Sequence, residues 1–146
     1  MRFRLPDPVL ALPDRDRTDG TWMSGSDANE SVMMQVPGAG AFLRALLPTR
    51  LTGGYSVTFG VWVGVRPYDL QHAARVWWAP EYADLRIEGV LANAISPWDV
   101  LGAPVELRVQ DPEQTPYCVS SPDARLQSVL AEEWDHDLVL SALPPQ

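Results

Sequence analysis

One stretch of this chain carries the residue types from which small-molecule sites are commonly built. In residues 56–66, SVTFGVWVGVR, Val57, Phe59, Val61, Val63 and Val65 fall on one side of a period-2 strand. Ser56, Thr58, Gly60, Trp62, Gly64 and Arg66 fall on the other. The first face is ordinary core; the second sets an indole between two glycines and ends in a guanidinium, so something must lie close against it. A pocket there would have Trp62 as its wall, with Trp22 and Trp98 contributed by loops. Arg66, joined by Arg44 from a paired strand, would hold a carboxylate, sulfate or phosphate through bidentate contacts.

Proton transfer would need an acid. Glu81 follows the tandem Trp77-Trp78, with Asp84 and Glu88 beyond it, and a carboxylate pressed against indole has a raised pKa suited to general acid or base work. Asp27 and Asp99, each in a loop near a Trp, have the same claim. Plainer accounts exist for every one of these groups. Trp62 can be a core anchor beneath a helix, with Ala-rich packing explaining the glycines, and Arg66 can merely end a strand. The acids can form a solvated rim.

Positioning these residues calls for a sheet. Residues 31–36 and 41–47 read as strands, with Pro48 closing the second and the paired glycines of 51–54 turning it into the central strand. Pro67 opens a helix, in which Leu70, Ala73, Ala74 and Trp77 recur at helical spacing until Pro80 stops it. Residues 85–92 and 105–110 alternate as half-buried strands, and a last short strand is expected near 117–120. Ser121-Pro122-Asp123 starts a last helix that carries Leu126, Val129, Leu130 and Trp134 on one side. Residues 136–146 are consistent with a strand or a helical turn. The expected fold is α+β, an antiparallel sheet of about five or six strands with two helices, 67–78 and 122–134, packed on it. Residues 1–20, rich in proline and carrying Asp14-Arg15-Asp16-Arg17, read as an irregular arm, and residues 21–146 as one domain.

Composition narrows the function. A chain of 146 residues can bury roughly 70% of its unfolded surface without staples. The formal charge of -8, with eleven bases that are all Arg, argues against nucleic acid and acidic membrane surfaces as partners. The single Cys118 and two histidines, His72 and His136, offer no zinc-ligand spacing, so no metal is expected. Cys118 reads as a small buried hydrophobe and His72 as exposed. No phosphate loop, dinucleotide fingerprint or nucleophile elbow is present, which leaves cofactors unneeded. A reducing, cytoplasmic setting fits the cysteine usage and the proline-broken amino terminus.

Phe42-Leu43-Arg44, Pro48 and then Phe59-Gly60-Val61-Trp62-Val63 resemble a bacterial domain family of unknown function, which has an F-I-R-G-x-L-x-I-P strand followed by a W-G-V-W-V-S-L strand. The likeness runs through Trp77, Gly89-Val90-Leu91 and Pro116 to the final helix. Typical members open with a C-x-x-C-G knuckle that looks metal-binding, and none precedes Trp22 here. Where they carry H-P-L-A this chain has Ser121-Pro122-Asp123-Ala124, and where they carry S-L-S it has Gly64-Val65-Arg66. The resemblance implies a fold and no activity.

Two functions are consistent with these residues. One is a metal-free pocket protein for an anionic small molecule, extending to a cofactor-independent cyclase or isomerase of a specialised biosynthetic pathway. The other is a non-catalytic accessory subunit or interaction module. Its Trp-bearing loops and acidic end (Glu132, Glu133, Asp135, Asp137) would dock on a protein partner with a basic patch.

Overall fold

The computed structural model describes residues 2–12 and 20–143. In chain order the elements are α1 (Asp7–Leu10), β1 (Trp22–Met23), β2 (Met33–Val36), β3 (Gly40–Leu51), β4 (Ser56–Val65) and α2 (Pro67–Val76). They continue with β5 (Arg86–Leu91), β6 (Pro104–Arg108), β7 (Tyr117–Ser120), α3 (Ala124–Ala131), β8 (Glu133–Trp134) and α4 (His136–Ser141). The Asp14–Arg17 charge run lies outside the described residues.

The organising unit is the β3–β4 hairpin, whose register runs from Ala41↔Val65 to Arg50↔Ser56. Its turn, Thr52–Gly54, uses Gly53 and Gly54 at φ 81°, a region that L side chains avoid. One edge of β3 is occupied by β4 over nearly its whole length. The other is shared: β2 pairs antiparallel at Met33↔Leu43, β7 pairs parallel at Leu46↔Tyr117, and β8 pairs parallel at Arg50↔Glu133.

The return of β7 to β3 closes β3 through β7 into a five-stranded barrel. Closing an odd number of consecutive antiparallel strands makes the last pairing parallel. The fold is therefore mixed α+β, not the plain antiparallel sheet with two helices expected from the pattern. Pro48, which reads as a stop, instead lies inside β3. Arg44 and Leu46 donate towards the shared edge, to Val32 and Pro116, so the absent N–H of Pro48 points to the same side. There it falls between the β7 and β8 pairings and needs no partner.

The last helix is also shorter than expected. Asp123, not Ser121, caps it, accepting from the amides of Arg125 and Leu126. Glu132 then turns extended, and Trp134 lies in β8 instead of on the helix. The open question of the tail resolves as α4 over His136–Ser141, capped by Asp135.

Two apolar clusters result. Phe59, Val61 and Val63 of β4 join Leu43, Leu47 and Leu107 inside the barrel, with Leu70 and Ala73 of α2, Leu126 and Val129 of α3, and Val139 of α4. Trp62, Phe42, Met34 and Val36 form the second cluster on the outer face, beneath Leu5 and Val9 of the amino-terminal arm. Thus α2 packs with the barrel core and does not cover the glycine face.

That face is closed by other parts of the chain. A Cβ on Gly60 would stand 2.9 Å from Cγ of Arg2. At Gly89, where β5 turns over the end of β4, a Cβ would lie 2.4 Å from the carbonyl oxygen of Gly64 and 2.6 Å from Val63. We expect Gly89→Ala to lower stability by about 2 kcal/mol or more, because backbone cannot yield as a flexible side chain can. Urea denaturation checks this, and an unchanged midpoint would contradict the tight strand crossing.

Candidate functional site

The arm that covers Trp62 is joined to the sheet by backbone hydrogen bonds. Arg2 bridges Gly60 in parallel, and the amide of Phe3 donates to the Gly60 carbonyl at 2.8 Å. Farther along, the Asp7 amide donates to Ala92 at 2.7 Å, and α1 follows Pro6 at its cap position with Pro8 in its first turn. Proline is tolerated in a first helical turn, where its missing N–H has no helical partner anyway.

Asn93 carries the ladder from β5 to the arm. Its Oδ1 accepts from the Trp62 amide at 2.7 Å, and its Nδ2 donates to the Leu5 carbonyl at 2.9 Å and to Asp7 Oδ1 at 3.2 Å. The fully buried amide side chain therefore takes the place of a backbone unit.

Arg44, on the strand paired with β4 as expected, stands opposite Trp62 in register, and its guanidinium carbon lies 4.3 Å from the indole centroid. With 3% of its surface exposed it has little access to water. Nε donates to Ser31 O at 2.8 Å, Nη1 to Phe3 O at 2.6 Å, and Nη2 to Ala28 O at 2.8 Å and Arg4 O at 3.4 Å. Burial, and secondarily the charge of Arg2, lowers its pKa to about 10, so it remains protonated at neutral pH. The Trp62 indole N–H donates to Arg4 O at 3.2 Å.

The space sought beside Trp62 is consequently filled, and Trp62 is 0% exposed. Arg44 spends its donors on carbonyls and not on a ligand. The other expected residues scatter. Arg66 sits at the end of β4 with its side chain 80% exposed, and it engages both oxygens of Asp69, at 2.9 and 3.4 Å. That pairing raises the Arg66 pKa.

Trp22 is half exposed on the edge strand β1, paired with Gln35. Trp98 packs edge-on against Phe59 and Trp134, at centroid distances of 6.1 and 5.3 Å, as part of the barrel core. Its buried indole N–H has no acceptor among the described residues.

The expected acids do not converge either. Asp27 is exposed and shapes its own turn, accepting from the Glu30 amide. Glu81 is exposed in the short 3-10 helix Pro80–Asp84. Asp99 is exposed and pairs with Arg125 at 3.1 Å. Cys118 is buried, which pushes its thiol up to about 12 and keeps it from acting as a thiolate near neutrality. Among the described residues no three His, Cys, Asp or Glu side chains gather where a metal could sit.

A concave surface does exist, adjacent to the expected one. An open groove of about 940 Å³ lies at the far ends of β4 and β5. Its floor is Gly64, Val65 and Gly89. Its walls come from α1, the β2–β3 turn and the loop bearing Leu101. The lining is mostly apolar, with Asp7, Arg66 and Glu88 as its charged members. Arg66 is thus the one expected ligand-binding residue found in it. Sequence reasoning missed Asn93 and Asp7, for which the local hint was a polar Asn interrupting the apolar run 90–95; Val9 and Leu12, apolar residues of the arm, tack it onto the body.

The match to a family model spans residues 1–137, described as an uncharacterized protein conserved in bacteria (DUF2199). The chain belongs to this DUF2199 family. No curated protein and no solved structure matches it. The DUF2199 match reaches across the arm as well as the barrel, so both parts fall within one family unit. No helix among the described residues is long and apolar enough to cross a membrane.

Replacing Arg44 by Met preserves stem packing but leaves up to four carbonyl oxygens without their donor. We expect a loss of about 2–4 kcal/mol. Chemical denaturation measures it, and a loss below about 0.5 kcal/mol would show that the arm is held without the guanidinium.

Proposed function

We propose that the protein binds a small, largely apolar molecule in the groove over Gly64 and Gly89. The supporting observation is the groove itself: a concave apolar surface of about 940 Å³ with a few charged groups at its rim. Its volume is within the range of ligand sites, roughly 300–1,000 Å³. Exposed Val90 and Leu101 make its apolar lining accessible.

Among the described residues the carboxylates that line this groove are Asp7 and Glu88, whereas Asp27, Glu81 and Asp99 lie elsewhere. The reading is accordingly one of binding. A cyclase or isomerase role would have to draw its acid from Asp7 or Glu88. The single, buried and unpaired Cys118 fits a reducing compartment such as the cytoplasm.

A second reading, an accessory subunit or docking module, is favoured by Trp78. It is 93% exposed immediately after α2, and Trp anchors are enriched at binding hot spots. A stoichiometric basic companion in native mass spectra of the protein from its host would support that reading.

Nile red, a neutral apolar dye, tests the groove. We expect its emission to rise and shift blue with the wild type and with Trp78→Ser, and to fall at least fivefold with Leu101→Glu, which places a charge on the exposed apolar wall. Absent binding, or binding indifferent to Leu101→Glu, would overturn the proposal.

A further inference from the structure

We propose that the ligand of this groove carries a cationic end, a protonated amine or similar group, with Glu88 as its counter-charge. The inference rests on the groove reading and specifies the chemistry of the bound molecule.

It follows from which charges at the rim are already engaged. Arg66, expected to attract an anion, has both oxygens of Asp69 on its guanidinium. Arg44 is turned inward onto backbone carbonyls and is unavailable.

The carboxylates differ in the same respect. Asp7 accepts from the Ala94 amide at 2.8 Å and from Asn93, which fixes it to the arm junction. Glu106, the cross-strand neighbour of Glu88, is taken by Arg86 at 3.4 Å and by Arg108 at 3.1 Å. Glu88 is exposed and makes no direct ion pair among the described residues; it feels Arg66 only through space, and the guanidinium of Arg66 is held by Asp69.

Among the described residues the rim therefore presents two carboxylates, Asp7 and Glu88, against the guanidinium of Arg66, which already has Asp69 as its partner, on a chain of formal charge -8. Such a field disfavours an anion and attracts a cation. An apolar floor with an exposed carboxylate at its edge that makes no direct ion pair among the described residues suits an amphiphile whose hydrocarbon part lies on Gly64, Val65 and Val90.

Three compounds of equal chain length separate the possibilities by displacement of Nile red at pH 7.5 and low salt: octylamine, octanol and octanoate. We expect octylamine to displace the dye at a concentration about three- to fivefold below that of octanol, with octanoate weakest. Glu88→Gln, a surface change that leaves the fold alone, should erase the advantage of the amine and leave octanol unchanged. Octanoate acting as well as octylamine, or an amine preference that survives Glu88→Gln, would overturn the cationic assignment while the groove reading stands. Failure of all three compounds to displace the dye would remove the groove reading and this inference together.

Discussion

A guanidinium taken out of water without a carboxylate beside it is tolerated only if neutral dipoles replace its hydration, and Arg44 meets that condition through distant parts of the chain. Ser31 and Ala28 supply carbonyls from the loop before β2, and Phe3 and Arg4 supply them from the arm. The indole of Trp62 supplies a π face at 4.3 Å. Three segments far apart in sequence are thereby fixed to one strand position. If any of them withdrew, the charge would be left with unmet hydrogen-bonding capacity in a low-dielectric setting. The arm is consequently part of the folded body, although its composition is that of a loose tail.

This arrangement sets where a ligand can go. The face of β4 that bears Trp62 is consumed by the arm, so the concave surface moves towards the end of the strand, where β5 crosses over at Gly89 and Gly64. The arm helix then becomes one wall of the groove through Asp7, Pro8 and Ala11. Asn93 joins the two regions, holding the Trp62 amide on one side and Leu5 with Asp7 on the other. Stability of the arm and shape of the groove are thus coupled through the same few hydrogen bonds.

Local patterns made much of the scaffold legible. The alternation through β4 identified its two faces, the paired glycines marked the β3–β4 turn, Pro67 marked the start of α2, and β7 occupies the residues expected for a last short strand. These features depend on neighbours a few residues apart. The barrel closure does not: it rests on Leu46 meeting Tyr117, a pairing that no local period encodes. That Arg44 lies on the strand paired with β4 was readable from the hairpin signals, whereas its register opposite Trp62 came only from the fold. What lay over that pair was not readable, since the proline-rich arm has no period with which to announce a partner. The same limitation placed Asp27, Glu81 and Asp99 near indoles by sequence distance alone, whereas in space they serve a turn, a helix end and an ion pair with Arg125.

The central claim is that the amino-terminal arm is an integral part of the fold, anchored through Arg44, Trp62 and Asn93. Native-state hydrogen exchange of the Phe3 and Asp7 amides, which donate to Gly60 and Ala92, tests it most directly. The account predicts protection within about tenfold of the β3 amide of Arg44, which donates to Val32. Exchange of Phe3 and Asp7 at the rate of an unstructured chain, while Arg44 stays protected, would contradict it.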